Sequence, residues 1–328
     1  MKRLRTGTWR EIWCATAILY LLLPPAAATG QGYPARPIRI VVGTPPGSGI
    51  DVGARIIGAR MRDTLGQAIV MELRPGADGI IAARHVATSA PDGYTLLAAS
   101  NGHMAINPVV HDKLSYDPLV DFEPVSMLTR NPSALVLSTS VPVRSVREFV
   151  AYAKNRPGEL RYGSSSSNYM FAMEQFKQLA GIDLQHIPYP GNPQVGIALL
   201  SSEVQAAIVS VASSSGLIQT GKLNAIAMTG QSRDPKFPDI PTLLEAGVRG
   251  YDMDVWVGLF APSGTVSDIV GRLNAAIQRS LGSRDVVDQL VAAGLTPSGS
   301  TPRFLRETIV RDLKTYRELA AIVPASSK

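Results

Sequence analysis

From Ile38 onward, short runs of β-branched and aliphatic residues alternate with longer segments whose apolar residues recur every three or four positions. This alternation restricts the chain to βαβ units, because each strand needs helices to cover its faces. Residues 38–42 read as a buried strand, followed by the turn Thr44-Pro45-Pro46-Gly47-Ser48-Gly49. Asp51 reads as the cap of a helix in which Ile57, Met61 and Leu65 share one face and Gly66 is the stop. Residues 69–73 form a second strand, 75–79 turn into a helix reaching 88, and 94–99 form a third strand. A mainly parallel sheet is expected.

A second α/β series follows. Strands are expected at 134–138, 160–163, 185–189, 204–209 and 223–228, with helices at 146–155, 170–180 and 194–201 between them. Beyond Pro241 the pattern turns helical, with amphipathic stretches at 266–282, 284–293 and 302–322. Two comparable α/β units, the second inserted into the first, place a cleft between two lobes with two crossover strands as the hinge. The expected division is a leader over 1–28, the first lobe over 29–130 and 229–328, and the second lobe over 131–228.

The leader follows from a basic start, a 12-residue apolar stretch from Ile12 to Leu23, and Ala26-Ala27-Ala28 as a small-residue cleavage site. That order is the secretory pattern, and the stretch is too short for a hydrocarbon core needing roughly 20 residues. Export to the periplasm is expected, with cleavage near Ala28. Cys14, the one cysteine, lies inside the leader, so the exported chain has no disulfide or thiolate chemistry. Of the net charge of +6, Lys2, Arg3, Arg5 and Arg10 against Glu11 account for +3. No dense cationic cluster follows, so the footprint of a nucleic-acid binder is missing.

The glycines of the first turn let the backbone approach a ligand, and the following helix presents its positive end there, which makes an anion site. Gly47, Ser48, Gly49 and Asp51 are the candidates. The rival reading is a dinucleotide site, with Glu72 on the ribose, but Gly47, Gly49 and Gly53 are spaced one residue too widely. A second polar turn, Ser164, Ser165, Ser166, Ser167 and Asn168, precedes a helix in the second unit and faces the first across the cleft. Asn101 follows the third strand and lines the same cleft. His103 reads as a structural histidine more readily than a ligand contact, and Trp256 as core packing. No metal-ligand spacing links His85, His103, His111 and His186, and no cofactor motif is present.

The chain resembles the solute-binding proteins of tripartite tricarboxylate transporters, the Bug-type family. The resemblance rests on a collinear series. It begins with Tyr33-Pro34-Ala35-Arg36-Pro37-Ile38-Arg39, the first turn through Asp51, Arg74-Pro75-Gly76-Ala77-Asp78-Gly79 and Ala90-Pro91-Asp92-Gly93-Tyr94. It continues through Ala105-Ile106-Asn107-Pro108, His186-Ile187-Pro188-Tyr189, Pro238-Asp239-Ile240-Pro241-Thr242 and Glu245-Ala246-Gly247. The resemblance implies a type II periplasmic binding fold with two α/β lobes, a ligand cleft and a two-strand hinge. It also implies a small carboxylate ligand, held by the first turn and the serine turn, and a membrane transporter as partner. Two departures fall at the site. The serine turn lacks the family's glycines and carries Tyr169, and Val209-Ser210 stands where relatives have Phe-Asp. Ser210 and Tyr169 therefore join the candidate residues, and the ligand expected is an aromatic or differently shaped acid.

The function expected is a monomeric periplasmic receptor that delivers a small organic carboxylate to transporter subunits. The alternatives are a receptor that presents its ligand to a membrane histidine kinase, and an exported enzyme. A Ser–His pair in hydrogen-bond reach within the cleft would mark the last.

Overall fold

Ile38, Ile40, Val41 and Val42 are inaccessible in strand β1 (Ile38–Val42), and Arg39 alone points outward. Burial on both faces is what a continuous apolar run demands of a parallel strand. The computed structural model describes residues 32–251 and 253–322, and every element below belongs to the unit Arg36–Lys328. The leader expected over 1–28, with Cys14, lies outside the described residues.

β1 lies between β2 (Ile69–Leu73) and β3 (Thr95–Ser100), parallel to both. On the far side of β3 come β10 (Val255–Pro262), then β4 (Phe122–Asn131), then the short β11 (Thr296–Pro297). β10 runs antiparallel to both its neighbours, β3 and β4. A second sheet has the order β7 (Gln185–Pro188), β6 (Arg161–Ser164), β8 (Ala206–Ser210), β5 (Ser133–Ser138), β9 (Leu223–Met228). Here β6 is parallel to β7 and β8, whereas β5 is antiparallel to β8 and β9.

Both sheets are therefore mixed, which corrects the expectation of a mainly parallel sheet. The physical reason is the path between them. β4 leaves the first sheet and, after Pro132 alone, becomes β5 of the second, while the segment 229–254 brings the chain back from β9 into β10. β4 and β10 pair side by side, with Val255 opposite Asn131. A strand returning beside an outgoing one must run antiparallel to it. Arg130 and Asp254 join the two at 2.7 Å, with the aspartate nearly buried.

The stretch containing β10 also corrects the helical reading beyond Pro241. Trp256, Val257, Leu259 and Phe260 are all buried, so the strand is covered on both faces. Gly258 allows close packing there, since a Cβ would stand 3.0 Å from the Leu305 side chain and 3.1 Å from the Phe260 ring. Helices α8 (Ser267–Leu281), α9 (Arg284–Ala292) and α10 (Pro302–Ile322) follow close to the expected bounds. Trp256 packs in the core, its indole N–H donating to Asp312 Oδ2 at 2.7 Å. Phe260, Phe122 and Tyr116 extend that aromatic chain through contacts with centroids 5.8–6.4 Å apart.

Two helices aim at the site. α1 (Gly49–Leu65) buries Ile50, Ala54, Ile57 and Met61, and ends at Gly66 in the left-handed region at φ 68°. Its cap is Ser48, not Asp51: Ser48 Oγ accepts the Asp51 N–H at 3.3 Å. α5 (Ser167–Ala180) starts three residues before the expected Met170. Ser167, Asn168 and Tyr169 thus form a helical first turn, where a polar turn ahead of the helix had been expected.

Candidate functional site

A cavity of about 700 Å³ is lined by residues that follow β1, β2 and β3, by the first turn of α5, and by Asn131 and Val255 of the paired strands β4 and β10. Such a volume holds one small organic molecule. Three loops build it.

The first is Gly43 to Ile50. Ser48 caps α1, and its hydroxyl lies 2.6 Å from that of Thr44. Asp51 is 3% exposed. It accepts the Gly47 N–H at 3.0 Å and the Arg55 Nε–H at 2.7 Å. Asp51 therefore braces the turn from beneath. The N–H groups of Gly49 and Ile50 have no hydrogen-bond partner among the described residues and stand at the positive end of a 17-residue helix.

The second is the start of α5. Ser166 is the N-cap residue, yet its side chain makes no capping bond. Met170 N–H bonds back to Ser166, which leaves the N–H groups of Ser167, Asn168 and Tyr169 without partners among the described residues. Burial holds the Tyr169 hydroxyl above its ordinary pKa, against smaller opposing effects of the neighbouring Asn192, Ser210 and Ser133 side chains. Its ring walls the cavity.

The third, Pro75 to Gly79, was not singled out as a site by sequence reasoning. Its backbone is packed tightly against the first loop and against His103. A Cβ on Gly43 would stand 2.8 Å from Gly79 Cα, and one on Gly79 would stand 2.1 Å from His103 Nε2. His103 lines the cavity despite its structural reading. The Ser100 backbone N–H donates to His103 Nδ1 at 3.1 Å. An amide N–H can only donate, so Nδ1 is unprotonated and the neutral ring carries its proton on Nε2. Burial pushes the pKa down to about 4, against a smaller opposing effect of the Asp78 carboxylate. At neutral pH His103 is an uncharged donor.

Of the residues proposed from sequence, Ser48, Gly49, Ser166, Ser167, Asn168 and Tyr169 line this cavity together. Gly47, Asp51, Asn101, Ser164, Ser165 and Ser210 do not line it. Asn101 Nδ2 donates to Tyr316 Oη at 2.9 Å and to Asp254 O at 3.2 Å. Ser164 Oγ lies 2.7 Å from His186 Nε2, and Ser165 Oγ donates to Asn192 Oδ1. Ser210 lies beside Tyr169, outside the lining. Sequence reasoning missed Thr44, Asp78, Asn107, Asn131 and Val255 as well as the role of His103. The signal for Asp78 was present: Pro75-Gly76-Ala77-Asp78-Gly79 repeats the strand, glycine-rich turn, helix order of the first loop.

The Ser164–His186 pair is the arrangement an exported enzyme would require, but Ser164 is 4% exposed and outside the cavity lining. Glu72, the residue a dinucleotide reading needs, is held by Arg39 and Arg74 and also lies outside it. Among the described residues no three His, Cys, Asp or Glu side chains converge on a metal site. No described helix is long and apolar enough to cross a membrane.

The receptor profile of the tripartite tricarboxylate transporter family matches residues 53–319. The chain belongs to that receptor family. BugT of Bordetella pertussis is 34% identical over 294 residues, which cover 89% of this chain and 90% of BugT. Among solved structures, Rpa4515 of R. palustris, with adipate, matches at a TM-score of 0.74 and 34% identity, covering 89% of this chain and 99% of that one. MatC (Rpa3494) from Rhodopseudomonas palustris, with bound malate, matches at 0.70 and 31%, covering 88% and 100%. As a tripartite tricarboxylate transporter receptor, the chain has the two-lobed periplasmic binding fold that the family resemblance implied.

Proposed function

We propose that the protein is a periplasmic receptor that captures one small organic carboxylate in the cavity and delivers it to membrane transporter subunits. One observation carries this reading. The N-termini of α1 and α5 open onto the same cavity with N–H groups that have no partner among the described residues, and none of the described Lys or Arg residues lines it. Each helix end acts as about half a positive charge, and hydrogen bonds to a charged group contribute roughly 1.5–3 kcal/mol each. Four or five of them account for the roughly 8 kcal/mol of a micromolar complex. The adipate and malate of the two related structures are acids of this kind.

The apolar part of the lining comes from Pro45, Ile50, Ile106, Val110, Val255 and the Tyr169 ring. An acid with an aliphatic or aromatic body fits better than a compact hydroxylated one. Ligand-binding roles fall to Ser48, Gly49, Ser166, Ser167, Asn168 and Tyr169, with Asp51 and Ser210 bracing them. The ligand is released unchanged, a reading supported by the family and by the placement of Ser164 away from the cavity. Export with cleavage near Ala28, a monomer, and lobes meeting at 130/131 and 228/229 complete the proposal. The chain's passage through Pro132 supports the first of those boundaries.

A thermal-shift screen tests it. An acid at 100 times its dissociation constant should stabilise the protein by about 2.7 kcal/mol, a shift of several degrees. Silence across aliphatic and aromatic acids would remove the carboxylate reading.

A further inference from the structure

Among the described residues that line the cavity, Asp78 is the one carboxylate, and no Lys or Arg accompanies it. For a receptor of anions this is the wrong sign, unless it faces a part of the ligand that is not an anion. The position is held with care. Asp78 adopts φ 49° and Ala77 φ 45°, left-handed conformations that side-chain-bearing residues rarely occupy. The Asn107 side chain donates to the Asp78 backbone carbonyl at 3.0 Å and lies 3.3 Å from the Tyr116 hydroxyl. Gly79, next in the chain, is wedged between Gly43 and His103. The loop is thus fixed from three sides. The carboxylate stays largely exposed, with His111 Nε2 3.6 Å from its Oδ2.

The uncharged side chains add to the asymmetry. Asn131 and Asn168 both line the cavity, and the buried Oδ1 of each has no donor among the described residues. Unmatched buried acceptors carry a desolvation cost that a nearby donor would relieve. The unpartnered backbone donors of the cavity are gathered at the helix ends of α1 and α5.

Resting on the carboxylate reading above, we propose that Asp78 is a charge-selecting residue. It makes the site specific for acids whose second polar end is a hydrogen-bond donor, an amide, hydroxyl or ammonium group, and it rejects dianions. Asp78 touches this second end directly and repels a second carboxylate. Adipate and malate, which belong to the relatives' structures, would then be poor ligands here.

Titration calorimetry on the exported protein tests this with linear dicarboxylates of four to eight carbons and their monoamides. The monoamide should bind about tenfold more tightly than the diacid of the same length. That is the order expected of one unit charge a few ångström away in a partly solvated site. Asp78→Asn keeps a residue type that tolerates the left-handed conformation, and it should bring each pair within about twofold, chiefly by improving the diacid. Raising salt from about 20 to about 300 mM should narrow the wild-type ratio, as expected for an exposed charge. Equal or tighter diacid binding by the wild type, or a ratio unchanged in Asp78→Asn, overturns the proposal and leaves the carboxylate reading standing. Failure of every acid and every monoamide to bind removes both.

Discussion

The N-termini of α1 and α5 face one cavity, yet they are built in opposite ways. At α1 every polar side chain is engaged within the protein: Ser48 caps the helix, and Asp51 holds both Gly47 and Arg55. At α5 the cap residue Ser166 makes no such bond, and Ser166 and Ser167 are exposed. The first end is a finished structural element that offers only backbone to a ligand. The second is left incomplete, and a ligand can complete it. Stability and affinity should therefore separate between them: substitutions at α1 cost folding energy, and substitutions at α5 cost binding.

The largest expected effect is on the α1 side and comes from acid. His103 has a folded pKa of about 4 against an ordinary value of 6.5. Below about pH 6.5 the unfolded chain takes up a proton that the folded chain does not. Stability is complete above that pH and falls as pH drops toward 4, by about 3 kcal/mol at full effect. Urea melts at pH 7, 5.5 and 4.5 measure the slope. His103→Gln should flatten most of it, and His186→Gln, a half-buried histidine with its pKa also lowered by desolvation, should remove less.

Next is Asp51→Ala, which leaves the Gly47 N–H and Arg55 without their acceptor. Because Arg55 is half exposed and can turn to water, the expected loss is about 2 kcal/mol, below that of a fully buried pair. Ser48→Ala should cost about 1 kcal/mol as a lost cap. Ser166→Ala, with no capping bond to lose, should change stability by less than about 0.5 kcal/mol while weakening ligand binding in calorimetry. The smallest effect would sharpen the comparison most. Ser166→Asp supplies α5 with the cap it lacks and should raise stability by about 0.5 kcal/mol, yet abolish capture of an anion. If stability and affinity moved together at Ser166, the two helix ends would not differ in the way described.

The strand–helix alternation was legible where aliphatic residues dominate a short run, as in Ile38–Val42, broken only by Arg39, and Ser133–Ser138, with serine only at its ends. β4 was not, because Glu123, Pro124, Ser126, Thr129 and Arg130 interrupt it. Its pairing with β10, fixed only in three dimensions, makes it a strand. The start of α5 was misread for a related reason: Ser-Ser-Asn carries turn propensity, and the buried Met170, Phe171 and Met173 behind it hold the helix in place. At the site, the turns were visible from glycine and serine. Which side chains face inward was not, since a serine that caps, one that braces and one that awaits a ligand are the same letter. Asp78 was hidden inside a motif that marked kinship, and its left-handed backbone cannot be read from composition.

Trp256 is the one tryptophan among the described residues. It follows the cavity-lining Val255 directly and sits beside the joint where the chain passes between sheets. Its indole is shielded from water and bound to Asp312, so its emission should be blue-shifted and insensitive to external quenchers. Any rearrangement of the paired strands during capture would alter that light. The protein therefore carries its own optical gauge of occupancy, read without a dye or a label.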